Sequence, residues 1–255
     1  MSTSYALADS ATMLRRNLLH AKRYPSMTFG VVLMPIVLLL TFNFVFGGAL
    51  EKSSGGHYID YLTPGMLLMI PAYMTASAAV SINTDATKGI VNRFRTMAIS
   101  QSSILTGHVI GVLIQAVLGI VAMVLVALLI GFRPSANVVE WLAAFGLLAL
   151  LVFALTWLAV ALGLISPNPE SASNGLFPII MLPFLGSGLV GTDTMPVGLR
   201  QFAEYQPFTP LTETIRGLLM GTEIGNNGII SIAWCVGIAV FGYAWSTSVF
   251  RKKTR

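Results

Sequence analysis

Gly186–Ser187–Gly188 places a hydroxyl between two glycines, a setting in which a serine could be presented as a nucleophile. Such a serine needs a base within hydrogen-bond reach. The histidines are His20, His57 and His108. His20 and His57 fall outside the apolar runs, and His108 opens the third run at the end opposite the one Ser187 occupies in the fifth. Most of a bilayer would separate that base from that hydroxyl, so no catalytic residue is assigned. Ser187 reads instead as a close helix contact that its glycine neighbours permit. Metal chemistry lacks its usual spacing, because the sequence has no His-x-x-x-His pair and a single cysteine, Cys235. The Gly-x-x-x-x-Gly-Lys-Ser/Thr phosphate loop is absent too, so ATP-driven work by this chain would need a second polypeptide to hydrolyse the nucleotide.

The carboxylates point the same way. Asp9, Glu51, Asp60, Asp85, Glu140, Glu170, Asp193, Glu204, Glu213 and Glu223 are the ten acids, and none falls at the centre of an apolar run. An ion- or proton-coupled carrier ordinarily keeps an ionisable group there. Neutral polar groups do interrupt the runs, at Asn43, Gln115, Thr156 and Asn174. Each is explained by a hydrogen bond between helices, worth roughly 0.6–2 kcal/mol. Gln115 also stands out as a substrate contact within an otherwise apolar stretch. Pro35, Pro64, Pro71, Pro178 and Pro183 free backbone carbonyls and bend the first, second and fifth runs. Asn43, Gln115, Asn174 and Pro178 are therefore the candidate substrate-pathway residues.

The elements that must carry these residues are transmembrane helices. Of 255 residues, 55% are hydrophobic and 10% charged, against about 25% charged in soluble domains, and mean hydropathy is +0.78. A net charge of +5 then speaks of cytoplasmic loops and anionic headgroups rather than nucleic acid. Crossing about 30 Å of hydrocarbon takes roughly 20 helical residues. The runs at about 26–46, 61–83, 104–132, 138–165, 172–190 and 228–250 qualify, giving an all-α protein of six spans. With the N-terminus inside, the inner segments hold Arg15, Arg16, Lys22, Arg23, Lys88, Arg93, Arg95, Arg251, Lys252, Lys253 and Arg255, and the outer ones Lys52, Arg133, Arg200 and Arg216. That is eleven of the fifteen cations against four, so both termini are expected in the cytoplasm.

Two segments depart from the span pattern. Within residues 1–25, Leu7, Ala11, Leu14 and Leu18 recur at helical spacing beside Arg15 and Arg16, as in a helix lying in the inner headgroup layer. Residues 191–227 contain two short helical pieces, near Pro196–Tyr205 and Pro210–Met220, separated by Pro207 and Pro210 and closed by Gly221. The second piece has an apolar face of Leu211, Ile215, Leu218 and Leu219, and both are expected to dip into the outer leaflet. Residues 251–255 form a basic cytoplasmic tail.

Three blocks resemble the permeases of the ABC type-2 exporter family, nearly end to end. DYLTPGMLLM (60–69) is similar to the entry of the second span, and KGIVNRFRTMAIS (88–100) to the cytoplasmic segment between spans two and three. SGLVGTDTMPVGLRQFAEYQPFTPLTETIRGLLMG (187–221), with Pro196, Pro207, Thr209, Arg216 and Gly221 at their spacing, resembles the daunorubicin-resistance-type subgroup. The sequence departs from the family pattern at Gly191 and at Met97–Ala98, where prolines are common.

The resemblance implies an amphipathic connecting helix, six spans, a cytoplasmic coupling helix at about 85–99 and two re-entrant helices on the outer side. It implies two permease subunits, identical or related, working with two ATPase subunits that bind ATP and Mg. No cofactor would be held by this chain. The complex would export a hydrophobic drug, antibiotic or lipid-like compound across a prokaryotic plasma membrane. In the coupling helix, Ile90, Phe94 and Met97 make a ridge at i, i+4 and i+7, Arg93 and Arg95 flank it, and Phe94 is the candidate anchor. Asp85 would favour that helix's N-terminus. A polysaccharide or glycolipid exporter is the competing reading, disfavoured by the scatter of Trp141, Trp157, Trp234 and Trp245. A lipid-modifying membrane enzyme is the reading from another class, and it lacks a catalytic constellation.

Overall fold

The computed structural model describes residues 25–54, 57–87 and 101–253. They are helical almost throughout, because backbone at membrane depth must satisfy its own N–H and C=O groups. The connecting-helix residues 1–24, the whole basic segment 88–100 and residues 254–255 lie outside the described residues, while Asp85, expected at the N-terminus of the coupling helix, lies instead in the last turn of the helix Met69–Thr87.

The first helix, α1 (Pro25–Thr41), passes through a π-helical turn (Phe42–Phe46) into α2 (Gly47–Ser54), and so runs beyond the expected boundary at residue 46. Next, α3 (Tyr58–Leu67) and α4 (Met69–Thr87) are one rod broken at Leu68. Pro71 has no N–H to give the Leu67 carbonyl, and the Leu68 N–H bonds to Gly65 O at 3.2 Å. Beyond these come α5 (Gln101–Leu129) and α6 (Val138–Ile165). A capping box opens α6: Asn137 Oδ1 accepts the Glu140 N–H at 3.0 Å, and Glu140 Oε2 accepts the Asn137 N–H at 2.6 Å.

The expected fifth span, 172–190, is not one continuous helix. It consists of α7 (Pro169–Asn174), α8 (Phe177–Met181) and a 3₁₀ turn (Leu182–Leu185). Gly175 weakens the helix at the first join, while Pro178 and Pro183 each remove a backbone donor and start a new turn. Two short helices follow, α9 (Val197–Tyr205) and α10 (Phe208–Met220), then the long α11 (Asn227–Lys253).

Among the described residues, five helical stretches are long and apolar enough to cross a membrane: Gly30–Ala49, Tyr58–Thr87, Gly107–Leu129, Val138–Ile165 and Asn227–Arg251. The second and fourth form the centre, 72% and 67% buried over their most apolar windows, against 17% for the first and last. The main core joins Leu62, Met66 and Met69 of the broken rod to Ile120 and Met123 of α5, Leu151 of α6, and Phe208, Leu211 and Ile215 of α10. Apolar side chains gain little from leaving lipid for one another, so van der Waals fit and polar partners must hold these helices in place.

Candidate functional site

The densest buried polar cluster lies where α3, the strap 182–191 and α10 meet. Pro196 stands at the N-cap of α9 and Pro207 at that of α10, where a missing N–H costs no helical bond. Between the helices, Gln206 binds three ways. Its Nε2 donates to Leu182 O (3.2 Å) and Thr209 Oγ1 (3.3 Å), and its Oε1 accepts from the Phe208 N–H (3.3 Å). Thr209 Oγ1 also accepts the Ser187 N–H at 3.3 Å, which pins the strap to the start of α10. Gly221 ends α10 in the left-handed region (φ 73°), where a side chain would be strained. Just before it, Leu219 O accepts the Ser135 N–H of the α5–α6 connection at 3.0 Å.

The strap reaches α3 by backbone contact. A Cβ on Gly65 would lie 2.3 Å from Gly188 Cα, so neither residue type is free to vary without moving main chain. This approach lets Tyr58 and Tyr61, three residues apart on one face of α3, donate their hydroxyls to Leu189 O and Ser187 O, each at 3.0 Å.

Arg216 closes the cluster from α10. It is 6% exposed, which for a guanidinium requires partners all round. Nη1 meets Glu213 Oε1 at 2.6 Å, Nη2 donates to Ser187 O at 2.8 Å and to Tyr61 O at 3.2 Å, and Cζ sits 3.9 Å from the centre of the Tyr61 ring. One planar fork thus holds three acceptors and an aromatic face together, geometry a lysine ammonium does not reproduce. Arg216 Nε and Ser187 Oγ are buried without a hydrogen-bond partner among the described residues. Ser187 enters the cluster through its backbone, whose N–H donates to Thr209 Oγ1 and whose carbonyl accepts from Tyr61 and Arg216.

On its own helix α9, Arg200 pairs with Glu204 at 2.7 Å on the surface. Hydrogen bonding to that carboxylate, then its charge, raises the Arg200 pKa further.

Of the residues singled out from the sequence, Pro196, Pro207, Thr209, Arg216 and Gly221 all lie on α9 and α10 or at their ends. Thr209 and Arg216 meet at the strap, whereas Pro196 and Gly221 set helix ends. Ile90, Arg93, Phe94, Arg95 and Met97 lie outside the described residues. The pathway candidates occupy four elements. Asn43 is half-buried in the π turn, Gln115 is half-buried in α5, where its Nε2 donates to Gly111 O at 3.2 Å, and Asn174 and Pro178 are exposed at the end of α7 and the start of α8. Sequence reasoning passed over Tyr61, Gln206 and Gly65. The available signal was Arg216 itself: a cation inside an apolar helical face must find an aromatic or carbonyl partner.

Residues 10–220 match the ABC-2 type transporter family. Among similar proteins is the daunorubicin resistance ABC transporter permease protein DrrB1 of Streptomyces coeruleorubidus, 30% identical over 251 residues that span 98% of this chain and 85% of that protein. With a bundle of long apolar helices and a family match over most of its length, this chain belongs to the ABC-2 type transporter family.

Proposed function

We propose that this chain is the membrane-spanning permease subunit of an ATP-driven exporter that carries a hydrophobic drug or antibiotic out of the cell. The near full-length likeness to a daunorubicin-resistance permease carries this reading. The absence of an acid at the centre of any apolar run supports a pathway for apolar or amphipathic cargo rather than ion coupling. Separate ATPase subunits, two per complex, bind ATP and Mg and supply the work. A second permease, identical or related, completes the pathway. The first and last spanning stretches, 17% buried each, leave wide apolar surface for lipid and for that second permease.

In this reading both termini are cytoplasmic, as the lysine and arginine distribution favours. The Arg216–Tyr61 cluster then lies toward the outer face, and residues 169–190 act as an interrupted fifth span, with Asn174 and Pro178 assigned to the route. Residues 88–100 are the docking point for the ATPase, with Phe94 as anchor and Arg93 and Arg95 facing partner acids. Phe94→Asp tests this in inverted vesicles bearing both subunits. We expect normal insertion, loss of ATPase co-purification and loss of ATP-dependent daunorubicin uptake. Unchanged uptake overturns the docking assignment. Failure of the wild-type pair to move daunorubicin or any other hydrophobic drug overturns the drug-export reading.

A further inference from the structure

The two helices that flank residues 88–100 are tied to each other and to their neighbours. Asp85, in the last turn of α4, meets His108 of α5, with Oδ2 and Nε2 3.1 Å apart and side chains 15% and 8% exposed. A carboxylate and an imidazole nitrogen at this distance share one hydrogen bond, with Nε2 the donor when Asp85 is ionised. Two residues earlier on α4, Asn83 is 1% exposed. Its Nδ2 donates to Gly163 O (3.0 Å) and Ser166 O (2.7 Å), carbonyls at the end of α6 that have no helical donor following them. The backbones nearly touch below this, since a Cβ on Gly163 would lie 2.6 Å from Ala79 O. Around these bonds Ile82 of α4, Val109 of α5, Trp157, Val160 and Leu164 of α6 and Phe250 of α11 form one buried cluster.

We propose that Asp85 and His108 are a positioning pair that makes this end of α4, α5, α6 and α11 a single rigid base for the 88–100 segment. The inference rests on the reading of that segment as the ATPase contact. A segment hung between two helix ends can lose an applied push by spreading them apart. The Asp85–His108 bond closes that gap, and Asn83 carries the load across to α6. Close-packed interiors transmit displacement rather than absorb it. The bond is also strengthened by its low-dielectric surroundings. Force at 88–100 thus moves four helices together.

The test uses the complete transporter with Asp85→His, His108→Asp, the exchanged double variant, and His108→Gln, which keeps a donor near Nε2. ATPase co-purification and drug moved per ATP hydrolysed are both measured. We expect each charge-altering single variant to retain its ATPase but move about tenfold less drug per ATP, the lower end of what losing a charge-assisted hydrogen bond does to an equilibrium. The exchanged pair should recover to within about twofold, as interacting neighbours do in a double-mutant cycle, and His108→Gln should stay near wild type. Wild-type coupling in His108→Asp, or an exchanged pair no better than the singles, overturns the proposal. Unchanged association and export in Phe94→Asp would instead overturn the docking reading and remove the load this base is meant to receive. A loss of drug moved per ATP with association retained separates positioning from mere stability, and recovery in the exchange shows that the two side chains act through each other.

Discussion

Replacing Arg216 with methionine keeps the length and apolar stem of the side chain while deleting the fork. Four contacts go: the Glu213 ion pair at 2.6 Å, the bonds to Ser187 O at 2.8 Å and Tyr61 O at 3.2 Å, and the stacking over Tyr61 at 3.9 Å. Removing one partner of a fully buried pair costs about 3–5 kcal/mol. Glu213, whose side chain is 32% exposed, can turn toward water, and Ser187 O keeps the Tyr61 hydroxyl at 3.0 Å. Those two reliefs place the expected loss at the low end, about 3 kcal/mol, of which the cation–π contact supplies about 1–2. At about 2–4 °C per kcal/mol for chains of this size, the melting midpoint of the purified chain in detergent should fall by about 6–12 °C. Tryptophan fluorescence on heating measures it. Arg216→Lys should lie between, because a point charge cannot hold three separated acceptors at once. Arg216→Met combined with Tyr61→Leu should lose clearly less than the two single losses summed. A fall under about 3 °C for Arg216→Met, or additivity within about 0.5 kcal/mol, would refute the claim that this cluster fixes the strap.

Three further outcomes follow from the packing. Gly65→Ala should disturb the strap far more than Gly146→Ala, since its Cβ meets the Gly188 backbone at 2.3 Å whereas Gly146 has open space around it; midpoints of the two variants, measured side by side, decide this. Gly221→Ala should cost about 1 kcal/mol from the left-handed backbone alone, read as a modest midpoint drop with insertion intact. Arg200→Gln removes a surface pair on α9 and should leave both the midpoint and ATP-dependent drug uptake unchanged, as exposed ion pairs contribute little.

Several boundaries were legible because they depend on local chemistry. Pro196 and Gly221 mark the outer ends of two short helices, which the structure has at Val197–Tyr205 and Phe208–Met220; the second starts behind Pro207, two residues before the start expected at Pro210. A proline's missing donor and a glycine's positive φ act within one turn, so they can be read from the residues themselves. The 172–190 run was legible in part: Pro178 and Pro183 were expected to bend it, while its division into separate short helices was not. Its hydropathy describes which solvent the segment tolerates, and an apolar run broken by Gly175, Pro178 and Pro183 scores like an unbroken one. Arg216 was picked out only as part of the 187–221 motif, and its partner Tyr61 O lies 155 positions away along the chain.

Composition and local residue types say which stretches can live in hydrocarbon and where many of their helices start or stop. It takes the packed bundle to bring Gly65 against Gly188, Arg216 over Tyr61 and Asp85 to His108. Every apolar face is as content against lipid as against another helix, so hydrophobic pattern cannot choose partners. The choice falls to the few places where two backbones can touch and where buried polar groups, once brought together, leave each other nowhere better to go.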